Sequence, residues 1–399
     1  MEDAEDWRAK TREVEDKLSD ALHEALTQRF IDRRTSALLK GLKREDALLA
    51  GITEDGEVSV EGHFVGQLDG LEFKPDPRTS SGLEGKAVRN AALRALRPEV
   101  SRRLAQIAHA SDEEITLGRD GRIHAGRAAV ARLAQGAPVL KPRLELIGGE
   151  QASDLERNAA RERLELWLAQ LVAHDLRPLM ALENAWRDGR LPPDARGLAF
   201  RLIENAGALD RADGDLDHVS ESACNALRRY GVRIGRHTVF LPALVKPRAA
   251  HTLALLWRAA HPDAGQSLFL ARPGALSAPL DHKREWGECA AAGYRACGHI
   301  AVRLDLVEKL AEAIESEAPP NDAALARLIG RPVRDLAGVL QSLGYRQAPG
   351  EEGAPRRWRR AAPRRKGKAR APADNAFSAL ANLLPPTNAP PRRRRGGPS

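Results

Sequence analysis

The chain has 399 residues, of which 42% are hydrophobic, so it is long enough for several domains and apolar enough to form folded cores. Its net charge of +8 is concentrated at one end, because residues 349–399 contain 13 Lys and Arg against 3 Asp and Glu and the rest of the chain sums to −2. The three cysteines are scattered, which argues against a disulfide framework. The acidic N-terminus argues against a signal peptide. The sequence has no run of about 18 apolar residues, which argues against a membrane-spanning helix. We therefore predict a cytoplasmic protein without a membrane partner.

Residues 1–50 are predicted to form an N-terminal helical segment. Val14, Leu18 and Leu22 recur at helical spacing, and the pattern continues through Leu26 and Phe30. Charged residues separate these positions, which is typical of an amphipathic helix.

Residues 51–140 are predicted to contain a small β motif in two copies. Asp55-Gly56 precedes alternating apolar residues, which indicates a tight turn between strands. The pattern returns 65 residues later at Asp120-Gly121, and VGQL at 65–68 is matched by VARL at 130–133. We interpret the two segments as a duplicated β/helix unit with a helix at 84–109 between the copies.

Residues 141–300 are predicted to form a helical accessory domain. Apolar residues at 164, 167, 168, 171 and 172 lie on one helical face, and further helices are expected at 194–207, 219–230 and 249–260. A short buried strand or turn is expected at 239–242.

Residues 301–361 are predicted to form a winged-helix-like domain. A first helix ends before Pro319-Pro320, Asn321 is a suitable cap for a second helix, and Pro332 suits the start of a third. The segments 345–347 and 357–359 are then expected to pair as a hairpin, and three helices followed by a hairpin is the order of a winged helix. In the third helix we expect an inner face of Val333, Leu336, Leu340 and Leu343 and an outer face of Arg334, Asp335, Gly338, Gln341 and Ser342.

Residues 362–399 are predicted to be a disordered basic tail, because they are rich in Pro and Arg and poor in apolar residues. One apolar island interrupts this composition. Its members Phe377, Leu380 and Leu384 fall on one helical face and are candidates for binding a partner protein.

The wing and tail supply the candidate nucleic-acid-binding residues. Basic side chains suit sequence-independent phosphate contacts, and an aromatic ring among them offers a stacking surface. The candidates are Arg334, Gln341, Arg346, Arg356, Arg357, Trp358, Arg359, Arg360, Arg364, Arg365, Lys366 and Lys368. A solubilising tail without a target is the alternative interpretation of the same charges.

Catalytic and metal motifs are absent from the sequence. It contains no phosphate-binding loop of the G-x-x-x-x-G-K-[ST] type, no G-x-S-x-G and no H-E-x-x-H. The acidic stretch 213–217 lacks the glycine and glutamate of a calcium loop, and His282, Cys289, Cys297 and His299 match no common zinc spacing. We expect no catalytic residue, metal or cofactor in this chain.

Several phrases of the sequence are similar to the region that follows the ATPase domains in bacterial DEAD/DEAH-box (DExH) helicases resembling the mitochondrial degradosome RNA helicase. They are LTQRFIDRRT at 26–35, VEGHFVG at 60–66, GLAFRL at 197–202, YGVRIG at 230–235, VFLPALVKP at 239–247, AAGYR at 291–295 and LQSLGYR at 340–346. The resemblance implies an accessory region without the ATPase core, so that ATP and Mg²⁺ would act only in a core supplied elsewhere. It also favours RNA over DNA as the ligand.

These observations predict a mainly α-helical protein with small β units that guides nucleic acid for a helicase and has no activity alone. The alternative is a protein-interaction scaffold that docks on a separate ATPase subunit. A sequence-specific transcription regulator is disfavoured, because base-reading residues and dimer symmetry are both missing.

Overall fold

The structure is a computed structural model. It describes residues 11–12, 14–25, 50–53, 55–60, 63–77, 82–211, 216, 219–264, 268–280, 284–347 and 358–360. The chain divides into two compact units, Met1–Arg359 and Arg360–Ser399, and Arg360 is the one described residue of the second. The described part of the chain is mainly helical with small antiparallel sheets, which confirms the predicted fold class at that level. The predicted domain boundaries stay predictions.

The first described element is a helix over residues 14–25, inside the predicted N-terminal helical segment. Its side chains are exposed, including Val14, Leu18 and Leu22. Leu26 and Phe30, which were expected to extend the same face, lie outside the described residues.

Two four-stranded antiparallel sheets follow, each a simple meander in which every strand pairs with the next. The first contains β1 (Ala50–Ile52), β2 (Glu57–Val60), β3 (His63–Asp69) and β4 (Glu72–Pro75). The second contains β5 (Ile115–Leu117), β6 (Arg122–Ala125), β7 (Ala128–Leu133) and β8 (Leu144–Leu146).

The registers of the two sheets coincide at the offset of 65 residues seen in the sequence. Val58 pairs with Gly66 in the first sheet and Ile123 pairs with Ala131 in the second, and in each case a register shift follows directly. The last strand of the second sheet departs from this offset, because a longer connection precedes β8. The two copies therefore share strand order, pairing and irregularity.

A long helix follows each sheet, and these two helices pack against each other. They are α1 (Gly82–Ala108) and α2 (Asp154–Asp175). Leucine and valine at 96, 100 and 104 are buried on α1, and leucine, valine and leucine at 168, 172 and 176 are buried along and just after α2. The recurring structural unit is thus a sheet plus its helix, and both units share one hydrophobic core.

The middle of the chain adds helices and two three-stranded sheets. The helices are α3 (Arg177–Arg187), α4 (Pro193–Glu204), α5 (Glu221–Arg229), α6 (Pro247–Ala260) and α7 (Trp286–Ala291). The strands are β9 (Ala208–Asp210), β10 (Arg233–Ile234), β11 (Thr238–Phe240), β12 (Ser277–Pro279), β13 (Tyr294–Cys297) and β14 (Ile300–Arg303), paired in the orders β10-β11-β9 and β12-β14-β13.

The last described segment contains three helices and a two-stranded sheet, in the order predicted for it. The elements are α8 (Leu304–Ile314), α9 (Asp322–Leu328), α10 (Val333–Ser342), β15 (Tyr345–Gln347) and β16 (Trp358–Arg360). The side chain of Asn321 caps α9 by accepting a hydrogen bond from the Ala324 N–H at 2.9 Å. Among the described residues, no helix has the length and apolar character needed to cross a bilayer.

Candidate nucleic-acid interface

The hairpin of β15 and β16 is held on the three helices by two buried aromatic residues. Tyr345 is fully buried, and its hydroxyl donates a hydrogen bond to Glu315 Oε1 at 2.9 Å. Trp358 is buried, and its indole Nε1 donates a hydrogen bond to Asp322 Oδ1 at 2.9 Å. Because side chains alternate along a strand, the residues that follow Tyr345 and Trp358 face away from this core.

The outward positions are occupied by arginines. Arg346 on β15 and Arg359 on β16 are exposed, and neither makes an ion pair or a side-chain hydrogen bond to another described residue. Arg360, the next residue, is half-buried. The outer surface of the hairpin therefore presents two cationic groups to solvent at the point where the chain continues into its basic end.

The predicted stacking role of Trp358 is wrong. The ring is 8% exposed and belongs to the hydrophobic core formed with α8, α9 and α10. Its one polar atom is engaged by Asp322. A base could reach the indole face only after the hairpin had left its helices, so Trp358 acts as a structural anchor of the proposed interface.

The outer face of α10 agrees with the sequence at Arg334 and Gln341, which are both exposed. Asp335 was expected on that face but is half-buried, and its Oδ2 pairs with the Arg331 guanidinium at 2.9 Å. This pairing offsets part of the negative charge of Asp335, whose Oδ1 also lies 3.8 Å from Arg334 Nε on the outer face.

The inner face of α10 differs from the prediction at its first turn. Val333, expected inside, is 49% exposed, whereas Val339 is buried together with Leu336 and Leu340. The buried positions follow the i, i+3, i+4 pattern of one helical face, and Val333 at the first residue of the helix extends beyond the neighbouring core.

The remaining candidates lie outside the described residues and stay predictions. They are Arg356, Arg357, Arg364, Arg365, Lys366, Lys368 and the apolar island Phe377, Leu380 and Leu384. The predicted disordered tail falls in the same part of the chain.

Asp322 is the functional residue that sequence reasoning missed. It lies 36 residues from Trp358 in the sequence and occupies the first position of α9, where an acidic side chain interacts favourably with the helix end. Acidic residues near helix starts are common, so no local signal distinguished this one.

The two buried cysteines behave as core residues. Burial, followed by the nearby Glu288 carboxylate, raises the pKa of Cys289 to about 12. Burial also raises the pKa of the Cys297 thiol. Among the described residues, no group of three or more His, Cys, Asp and Glu side chains is arranged to hold a metal ion.

Comparison with known proteins adds no relative to this picture. No family model matches the chain, and neither the curated proteins nor the solved structures contain a match.

Proposed function

We propose that this chain is a non-catalytic nucleic-acid-binding module whose C-terminal hairpin and following basic residues contact the phosphates of an RNA or DNA strand. The observation that carries the proposal is the outward placement of Arg346 and Arg359 on a hairpin anchored by Tyr345 and Trp358. Exposed arginines on an anchored hairpin suit phosphate contacts, because guanidinium groups form charge-assisted hydrogen bonds with phosphate and the backbone that carries them is already ordered.

The order of three helices and a hairpin supports interpreting residues 301–361 as a winged-helix-like domain in which the hairpin is the wing. We expect contacts with the backbone rather than base readout. The outer face of α10 offers Arg334 and Gln341 for base edges, which is a small set compared with the three or four side chains of a typical reading helix.

We further propose that the module serves a DExH-type helicase whose ATPase core is supplied elsewhere. The support is the sequence resemblance together with the missing phosphate-binding loop. The purified chain should show no ATP hydrolysis with or without nucleic acid, and measurable turnover that survives repurification would contradict this assignment.

The test of nucleic-acid binding uses fluorescence anisotropy of labelled single-stranded RNA and DNA. We expect the double variant Arg346→Ala, Arg359→Ala to bind more weakly and to lower the slope of log K against log salt by about 0.7 for each lost phosphate contact. Arg196→Ala, an exposed arginine of α4, is the matched control and should bind as the parent does. Equal binding by the double variant and the control would sink the hairpin assignment.

The contribution of the C-terminal basic residues to nucleic-acid binding is tested by a separate truncation. Removal of residues 361–399 preserves β16 and its Trp358 anchor, so the loss of affinity can be assigned to the removed charges. A truncated chain that binds as tightly as the full chain, with the same salt slope, would exclude the tail from the interface.

A second candidate function is a scaffold that docks on a separate ATPase subunit, and one observation favours it. Val14, Leu18 and Leu22 are 57%, 66% and 60% exposed and lie at four-residue spacing on one helix. Such an apolar row suits packing against a partner helix. The scaffold function would be supported if the chain captures a subunit with a phosphate-binding loop from nuclease-treated lysate and the Leu18→Glu variant does not. Capture that requires intact nucleic acid would count against it.

A further inference from the structure

We propose that a cleft at the N-terminal end of α6 is a second binding site for phosphate groups, and that it engages the backbone of the bound nucleic acid strand. The inference rests on the proposed nucleic-acid function. The expected ligand is a phosphate ester or polyphosphate, which would be held by arginine side chains and by the end of a helix.

The α6 cleft consists of two adjoining cavities of about 770 Å³ and about 200 Å³. Pro247, His251 and Pro273 line both, so the cavities share a wall and form one concave surface. The surface is bounded by the connection between β5 and β6, by the start of α6 and by the loop at 270–275. A cleft of this size has room for several phosphate-bearing units.

The α6 cleft has a surplus of positive charge, because the acidic side chains that line it are already engaged in ion pairs or hydrogen bonds. Arg119 and Arg272 line the cleft, are exposed, and make no ion pair or side-chain hydrogen bond to another described residue. Asp175 is engaged by the Arg248 guanidinium at 2.7 Å and by the Thr252 hydroxyl at 2.8 Å.

The other charges of the cleft are similarly occupied. Asp112 pairs with Arg163 at 2.6 Å, and Arg303 pairs with Asp305 at 2.6 Å. Among the described arginines that line the cleft, Arg119 and Arg272 are therefore the ones available to an incoming anion.

The helix end adds a favourable electrostatic contribution. α6 has 14 residues and begins with Pro247, and no acidic residue lies in its first turn. No side chain caps the first turn, and the Asp175 carboxylate, which contacts Arg248 and Thr252 of this helix, offsets only part of the positive end of the helix dipole at the cleft wall. His251 lies in the same wall, where burial and then the Arg119 charge hold its pKa below the usual value.

The test compares Arg119→Ala, Arg272→Ala with the control Arg196→Ala in the full chain. Both substituted side chains are exposed and make no ion pair with another described residue, so the double variant should fold with an unchanged melting temperature. We measure single-stranded RNA binding by anisotropy, and we measure the rise in melting temperature caused by inorganic tripolyphosphate. We expect at least a fivefold weaker RNA affinity, a lower salt slope, and loss of the tripolyphosphate effect.

The outcomes separate the two sources of phosphate. Loss of both responses supports the site as part of the nucleic-acid interface. Loss of the tripolyphosphate response alone supports a phosphate site but overturns its assignment to RNA. If neither response changes while Arg346→Ala, Arg359→Ala still weakens RNA binding, the α6 cleft proposal fails and the proposed function stands.

Discussion

The indole nitrogen of Trp358 donates a hydrogen bond to Asp322 Oδ1 across 2.9 Å, and so joins the last described strand to the start of α9. The bond matters because Trp358 is otherwise buried among apolar side chains, where an unpaired N–H is costly. The outward direction of Arg359, the next residue, follows from this anchor.

Asp322→Ala should therefore destabilise the hairpin. The indole N–H would lose its partner, which costs about 1–3 kcal/mol. Urea unfolding monitored by tryptophan fluorescence measures the change, and Asp322→Asn, which retains a carbonyl acceptor, is the matched control. An unfolding midpoint of Asp322→Ala equal to that of the parent would show that the hydrogen bond contributes nothing.

Glu308 is a second anchor, between α8 and the segment that enters β11. Its side chain is 1% exposed and accepts hydrogen bonds from the Thr238 hydroxyl at 2.6 Å and the His237 N–H at 3.1 Å. The Arg236 N–H also donates to this carboxylate, so Glu308→Ala leaves three donors without an acceptor, and we expect a loss of about 3 kcal/mol in the free energy of unfolding.

Glu312→Ala on the same helix is the control for that variant. Glu312 is exposed and pairs with Arg233 on the surface, so its removal should cost less than about 1 kcal/mol. Chemical denaturation of the two variants gives the comparison, and equal losses would contradict the buried role of Glu308.

The duplicated turns make a matched pair for a conformational test. Gly56 and Gly121 both have positive φ values, 81° and 77°. A Cβ at Gly56 would lie 2.5 Å from the Leu68 carbonyl oxygen, whereas a Cβ at Gly121 would meet nothing within 4 Å. Gly121→Ala should lower the free energy of unfolding by about 1 kcal/mol, because alanine disfavours the left-handed backbone. Gly56→Ala should lower it clearly more, and thermal unfolding of the two variants gives the comparison. The reverse order would contradict the geometry of the first turn.

Glu99 gives a pH prediction. Hydrogen bonding to Arg102, and also to Arg103, lowers its pKa to about 2. A carboxyl group whose pKa is lowered in the folded state stabilises the protein at pH values above its unfolded pKa, which is near 4.5. This stabilisation is lost as the pH falls toward 2. The gap in unfolding free energy between the parent and Glu99→Gln should thus be present at pH 7 and shrink below pH 4.5. It should stay under about 1 kcal/mol, because Arg102 is exposed to solvent. A gap that widens in acid would refute this.

Local signals in the sequence were sufficient for the repeated elements. The Asp-Gly pairs at 55–56 and 120–121 and the offset of 65 residues indicated two β units, and Pro332 and Asn321 indicated helix starts. Strands β12, β13 and β14 were not predicted, because three or four residues are too few to display alternation.

The candidate interface was harder to predict, because its arrangement depends on contacts between distant residues. Trp358 sits among arginines in the sequence, which favours an exposed stacking role, and only its pairing with Asp322 and the core of α10 reveals that it is buried. Arg119 and Arg272 illustrate the same limit: folding brings both to one cleft, and neither is part of a basic cluster in the sequence.

The most direct test of the central claim is the salt dependence of single-stranded RNA binding by the full chain and by the variant Arg346→Ala, Arg359→Ala. We predict a steep linear decrease of log K with log salt for the full chain, and a weaker affinity with a slope reduced by about 1.4 for the variant. RNA binding that is insensitive to salt and unaffected by the two substitutions would contradict the account.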